Sequence, residues 1–101
     1  MFEIQPAGRK GRVTVIFSLE TSPGRTVGVA GSFNDWDPSV TPMKYDSAEH
    51  VYRASIVLEP GEYEYKFVVD GEWFLDESNP SFYPNDFGTL NSVLAAVPDG
   101  R

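Results

Sequence analysis

The sequence contains no cysteine, which excludes disulfide bonds and thiolate chemistry within its 101 residues. Its single histidine, His50, has no neighbour in the sequence suited to act as a catalytic base or as a fellow metal ligand. No stretch approaches the ~20 apolar residues of a membrane-spanning helix, and residues 1–12 hold no apolar run typical of a signal peptide. We therefore expect a cytoplasmic domain that does not contact a membrane and uses no metal or cofactor.

Basic residues are also scarce, because 8 Lys and Arg stand against 15 Asp and Glu, for a net charge of −7. Nucleic-acid binding requires Lys and Arg to neutralise phosphates, so we expect no nucleic-acid partner. None of the carboxylates is embedded in an apolar run, as the proton donor of a glycosidase would be. We therefore expect a domain without enzymatic activity. The length fits one domain over residues 1–101, with its core between about 13 and 97.

Apolar residues recur at every second position along much of the chain, and no window shows a helical period. The alternation is clearest over residues 13–19 and 50–58. Weaker patterns, separated by Pro- and Gly-containing turns, predict further strands at 26–30, 43–46 and 91–97. With the hairpin described next, about seven short strands result. We therefore predict an all-β fold, an antiparallel β-sandwich.

A two-residue Asp70-Gly71 turn separates two strand-like segments, which is a strong hairpin signal. The turn sets the register, so that Val68 faces Trp73 and Phe67 faces Phe74. Facing residues point to the same side of a sheet. One side is therefore predicted to face the core, and it comprises Tyr63, Tyr65, Phe67, Val69 and Phe74. The other side is predicted to carry Glu64, Lys66, Val68 and an exposed Trp73.

Residues 76–90 interrupt the alternation and combine two prolines with three aromatic residues. Loops of this length are usually functional or disordered, and the prolines and aromatics argue against disorder. We predict that this segment packs along the sheet and presents its tip, residues 87–89, near Trp73.

Several of these side chains suit the recognition of a sugar, whose ring has C–H faces and hydroxyl edges. Trp36 and Trp73 offer large rigid faces. Lys66 offers three donor hydrogens, while Thr89 and Asn91 can both donate and accept. A structural role is the alternative for each of these side chains, although the register favours exposure for Trp73. The tryptophans can belong to the core, Lys66 can pair with a neighbouring glutamate, Thr89 and Asn91 can cap a turn, and Phe87 can cover the core.

Three motifs, in this order and spacing, resemble the glycogen-binding module of the AMP-activated protein kinase β subunit. They are residues 29–36 (VAGSFNDW), 60–73 (PGEYEYKFVVDGEW) and 87–93 (FGTLNSV). The related early-set domains of isoamylases and glycogen branching enzymes are also similar. The resemblance spans residues 13–97 and implies an immunoglobulin-like β-sandwich that binds α-1,4-linked glucose chains.

The resemblance also implies roles for particular residues. It assigns sugar stacking to Trp36 and Trp73, a sugar contact to Lys66, and polar contacts to Thr89 and Asn91. Phe87 stands where the kinase module usually has a leucine that pushes into the curve of the glucan, so the resemblance implies a sugar contact for Phe87 as well. The expected function is non-catalytic binding of an α-glucan polysaccharide or a maltooligosaccharide. The alternative is a protein-interaction domain of the same fold that docks a kinase or an amylase-type partner.

Overall fold

The computed structural model describes residues 1–6 and 11–97, so residues 7–10 and 98–101 of the predicted domain lie outside the description. Over this range the fold is all-β, as predicted, and no helix long and apolar enough to cross a membrane occurs in it. The nine strands are β1 (Phe2–Pro6), β2 (Val13–Leu19), β3 (Val27–Gly31), β4 (Pro42–Asp46), β5 (Val51–Leu58), β6 (Gly61–Val69), β7 (Glu72–Phe74), β8 (Phe82–Pro84) and β9 (Leu90–Ala96).

All strand pairs are antiparallel, and the strands follow the order β1-β2-β5-β4-β3-β6-β9-β8, with β7 beside β6. Strand β4 connects the two layers of this curled sheet. Pro42 and Met43 pair with β3, whereas Lys44, Tyr45 and Asp46 pair with β5. The result is an antiparallel β-sandwich, and the predicted fold class is confirmed.

The core lies between the two layers and is built from the alternating apolar positions of the strands. On β2, Val13, Val15 and Phe17 are fully buried and the residues between them are not. Tyr65 and Phe67 of β6 meet Phe17 edge-on from the opposite layer, with ring centroids 5.0 and 6.4 Å away. Alternation in the sequence thus becomes a two-sided sheet because only one face can be buried.

The described residues form nine strands rather than about seven. The two that were not predicted are β1 and β8, which lie at the two ends of the strand order. In β1, Phe2 and Ile4 pack against the core and alternate with the exposed Glu3 and Gln5, so a short alternation was present. In β8, two of the three residues are aromatic, but Pro84 and the short length conceal the pattern.

The predicted hairpin register is confirmed, because Val68 pairs with Trp73 and Phe67 with Phe74. One prediction about burial was wrong. Phe74 was placed in the core, yet it is exposed and lines an open groove with Leu19 and Val51, because β7 lies at the margin of its layer. Val68 shares the outer side with Trp73, as predicted, and is buried there beside Gly28, against which the loop at Pro38 packs.

Candidate functional site

An open groove of about 630 Å³ runs across the outer face of the layer that contains β6 and β9. It brings together all six predicted site residues, which are Trp36, Lys66, Trp73, Phe87, Thr89 and Asn91. Five further residues that the sequence analysis did not propose also line it, namely Ser32, Glu64, Pro84, Asn85 and Asp86. The groove is therefore formed by the loop after β3, the outer face of the sheet, and the loop between β8 and β9.

The side chain of Asn34 holds the loop that carries Trp36. Its Oδ1 accepts a hydrogen bond from the Gly31 amide at 2.9 Å, and its Nδ2 donates to the Val29 carbonyl and to Thr41 Oγ1, both at 3.0 Å. The Trp36 amide donates to the Gly31 carbonyl at 2.9 Å. This closed turn keeps Trp36 half-buried at the rim of the groove.

Trp36 also has an unusual backbone, with φ at 61°, and Asp35 before it has φ at 56°. Two consecutive residues other than glycine in the left-handed region carry a conformational cost, which the surrounding structure must offset. Such strain is often found at functional sites. Here the offsetting contacts are those of Asn34, so the loop uses stabilising bonds to hold Trp36 where it lies.

Trp73 reaches the groove from β7. The two-residue turn at Asp70-Gly71 places it opposite Val68, on the outer side of the sheet, and 47% of its surface is exposed. The turn is fixed by Asp70, whose Oδ1 accepts from the Thr26 amide at 2.9 Å and whose Oδ2 accepts from Arg25 at 3.0 Å. The prediction that Trp73 is exposed is confirmed, and its side chain lines the groove.

Asn85 organises the loop between β8 and β9. Its Oδ1 accepts from the amides of Phe87 and Thr89 at 2.9 and 3.1 Å. Its Nδ2 donates to Thr89 Oγ1 at 2.7 Å and to Asn91 Oδ1 at 2.9 Å. The loop tip at Gly88, with φ at 80°, closes this turn. All four of these side-chain hydrogen bonds of Asn85 therefore hold residues that line the groove.

A chain of hydrogen bonds continues from this loop across the sheet. Lys66 Nζ donates to Thr89 Oγ1 at 2.9 Å, and Asn91 Nδ2 donates to Glu64 Oε1 at 3.0 Å. In the described part of the chain, Lys66 is thus held by a hydroxyl and not by a glutamate. The ammonium group of Lys66 has three donor hydrogens and uses one of them on Thr89. The hydroxyl of Thr89 accepts two hydrogen bonds but keeps its own donor hydrogen. Both groups can therefore donate to a ligand.

Phe87 projects from the loop tip with 90% of its surface exposed. The alternative that Phe87 covers the core is therefore wrong. A phenyl ring left this open gains nothing from the hydrophobic effect in the free protein, since its apolar area stays in water. Burial of the ring would be favourable only if a ligand or another surface covered it, and the groove beside Phe87 is a place where a ligand could lie.

The groove combines three aromatic rings with amide, hydroxyl, ammonium and carboxylate groups. This set suits a ligand that has flat apolar faces and hydroxyl edges. Among the described residues there is no cluster of three or more His, Cys, Asp or Glu that could hold a metal ion. The sequence analysis missed Asn85, although an asparagine between a proline and an aspartate, close to a glycine, is a recognisable turn signal.

A β-sandwich with an open, aromatic and hydrogen-bonding groove on one outer face has the architecture of a binding module. Residues 13–100 match the family described as the glycogen recognition site of AMP-activated protein kinase, and the chain belongs to this family. The predicted resemblance is thereby confirmed.

The chain is similar to β subunits of 5'-AMP-activated protein kinase. It is 35% identical to the beta-2 subunit of Mus musculus over 91 residues, which cover 90% of this chain and 31% of that protein. It is 34% identical over 74 residues to the beta-1 subunits of Rattus norvegicus and Sus scrofa, covering 73% of this chain and 26% and 57% of those proteins. The chain therefore spans only part of the relatives that it matches.

Proposed function

We propose that this domain binds α-1,4-linked glucan of the glycogen or starch type and does so without catalysis. The observation that carries the proposal is the convergence of six residues, chosen from the sequence, on one groove of a domain from a glycogen-recognition family. A curved glucan would lie on the indoles of Trp36 and Trp73. Phe87 would press against it from the loop tip.

The polar residues of the groove would bind the hydroxyl groups. Lys66 and Thr89 supply donor hydrogens side by side, since their side chains are in contact at 2.9 Å. On the neighbouring strands, Glu64 supplies carboxylate acceptors, and Asn91 supplies a side-chain amide that its hydrogen bond to Glu64 holds in place. Because these contacts are fixed before the ligand arrives, little side-chain freedom is lost on binding.

The affinity should be modest because the groove is open and only a few sugar rings are covered. We expect dissociation constants between about 1 μM and 1 mM. A glucan is neutral, so the negative charge of the protein does not attract it. The aromatic contacts must therefore provide most of the binding free energy.

The test compares Trp73→Ala with Phe74→Ala. These neighbours are both exposed aromatics of β7, but they point to opposite sides of the sheet. We expect Trp73→Ala to abolish pull-down on glycogen and Phe74→Ala to leave it unchanged, with both variants folded by circular dichroism. Pull-down by Trp73→Ala at the wild-type level would remove Trp73 from the site.

A second measurement separates glucan binding from the alternative of docking a protein such as a kinase or an amylase-type enzyme. Titration with maltoheptaose should change the tryptophan fluorescence if the indoles contact the sugar. An unchanged signal, together with no heat of binding, would reject the glucan and leave protein docking as the use of the exposed aromatics. Release of reducing sugar from glycogen by the purified domain would contradict the non-catalytic assignment.

A further inference from the structure

Tyr83 is a fourth aromatic side chain on the groove side of the sheet, and it lies just beyond the groove. It is the middle residue of β8 and pairs with Asn91 of β9, so the two side chains point to the same face. Directly opposed residues have Cβ atoms about 5 Å apart. Tyr83 thus neighbours two groove-lining residues, Asn91 across the ladder and Pro84 along the chain, and 46% of its surface is exposed.

The hydroxyl of Tyr83 shows how its ring is oriented, because it donates to Glu62 Oε2 at 3.3 Å. Glu62 belongs to β6, with β9 between it and β8, and neighbouring strands lie about 4.8 Å apart. The side chain must therefore extend across β9 along the sheet surface. Val93, which lies on this face of β9, is only 6% exposed, as expected beneath a covering side chain.

A tyrosine hydroxyl carries its proton at neutral pH, and the negative charge of Glu62 raises the pKa of Tyr83 further, so the hydroxyl is a donor to the carboxylate. The side chain of Tyr83 therefore lies along the sheet surface above β9, with about half of its surface exposed. An exposed aromatic ring at this place is available to stack on a sugar. In the described part of the chain, Tyr83 has no role in the core, since it is absent from the aromatic contacts that surround Phe17 and Tyr65.

The surface formed by Tyr83 and Glu62 adjoins the groove, because Tyr83 is paired with the groove residue Asn91. Along β6, Lys66, Glu64 and Glu62 alternate onto the same face, with about 7 Å between successive members. Trp73 lies at the Lys66 end of this row, opposite Val68. Glu62 lies at the other end, and the hydroxyl of Tyr83 reaches it from β8, where Tyr83 is paired with Asn91. A chain that occupies the tryptophans and runs past Asn91 would meet Tyr83 next.

We propose that Tyr83 and Glu62 form an additional subsite that takes glucose units of the same α-glucan beyond those held at the tryptophans. The ring of Tyr83 stacks on the sugar face, and the carboxylate of Glu62 accepts from a sugar hydroxyl. This inference rests on the proposed function. It adds that the domain binds longer glucan chains more tightly than short ones.

The experiment measures the affinities of maltotriose and maltoheptaose by calorimetry for the wild type, Tyr83→Ala and Phe82→Ala. Phe82 is the matched control because it is the adjacent exposed aromatic of β8 and points to the opposite side, paired with Ser92. We expect Tyr83→Ala to weaken maltoheptaose binding roughly three- to tenfold and maltotriose binding less than about twofold. Phe82→Ala should change neither affinity.

Tyr83→Phe provides a second variant that retains the ring and loses only the bond to Glu62, and it should keep most of the preference for the longer chain. Equal loss for both sugars in Tyr83→Ala, or no preference of the wild type for maltoheptaose, would overturn the subsite. Absence of any glucan binding by the wild type would instead overturn the proposed function, so the two failures are distinguishable.

Discussion

At the scale of single residues, the groove depends on side chains that a ligand need not touch. Asn85 is the clearest case, because its amide fixes the backbone at Phe87 and Thr89 and the side chains of Thr89 and Asn91. Asn34 has the same role for the loop of Trp36. Residues of this kind determine whether the aromatic and polar groups are already in place when a ligand arrives.

We predict that Asn85→Ala weakens maltoheptaose binding about tenfold and lowers the free energy of unfolding by about 1–2 kcal/mol, since it removes four hydrogen bonds in a largely exposed loop. Asn85→Asp retains the two acceptor bonds to the backbone and loses the two donor bonds. It should therefore destabilise less than alanine while still weakening binding. Calorimetry and urea unfolding measure the two effects, and wild-type affinity in Asn85→Ala would contradict the prediction.

At the scale of elements, the loop between β3 and β4 positions Trp36 because it lies directly against the sheet. Gly28 of β3 makes this possible, since a Cβ atom there would collide with the carbonyl oxygen of Pro38. Gly31 at the end of β3 is similar, as a Cβ atom would lie 2.5 Å from the ring of Phe33. These glycines are needed for close approach between a loop and a strand.

We predict that Gly28→Ala lifts this loop, costs about 1–3 kcal/mol of stability, and weakens glucan binding by displacing Trp36. Ser39→Ala is the control within the same loop, because Ser39 is exposed and its side chain donates locally, to Asp37. Urea unfolding and fluorescence titration test both variants. Unchanged stability and affinity in Gly28→Ala would show that the position of the loop does not depend on its close contact with Gly28.

At the scale of the whole molecule, a buried polar cluster around Asp76 joins distant parts of the chain. Asp76, 3% exposed, accepts hydrogen bonds from the hydroxyl of Tyr65 and the amino group of Met1, both at 2.6 Å. Its amide donates to Ser92 Oγ at 3.0 Å. The cluster connects the start of the chain with β6, β9 and the segment after β7, close beneath the sheet that carries the groove.

The ionisation of Asp76 should make the stability of the domain depend on pH. Burial alone would raise its pKa, but the bonds from Met1, Tyr65 and Ser78 outweigh burial, and the pKa lies below the ordinary 3.8. The folded state thus favours the carboxylate. The resulting stabilisation is fully present above about pH 4 and is lost as the pH falls through the lowered value.

We predict that Asp76→Asn lowers the free energy of unfolding at pH 7 by about 1–3 kcal/mol and makes its decline below pH 4 shallower. Glu77→Gln, at the exposed neighbouring carboxylate, is the matched control and should retain the wild-type profile. Urea unfolding at neutral and acidic pH provides the measurement. Parallel pH profiles for Asp76→Asn and the wild type would assign the acid sensitivity to other carboxylates.

Local signals in the sequence were sufficient for the hairpin and for most of the strands. The Asp70-Gly71 turn fixed which residues face one another, and alternation identified the buried side of β2 because a period of two has only one solution with apolar residues inside. The same logic failed for Phe74 and for β8. Their burial and pairing depend on where the layer ends and which strand lies beside them, and neither is a local property.

The sequence by itself therefore determined the all-β class, the register around Trp73 and the residue types of the groove. Only the tertiary structure decided that Trp36 and Phe87, 51 positions apart in the chain, line the same groove. It also decided that Tyr83 lies beside Asn91 and reaches Glu62. The physical reason is that turns and periodicity act over a few residues, whereas a binding surface forms where strands from distant parts of the chain pack together.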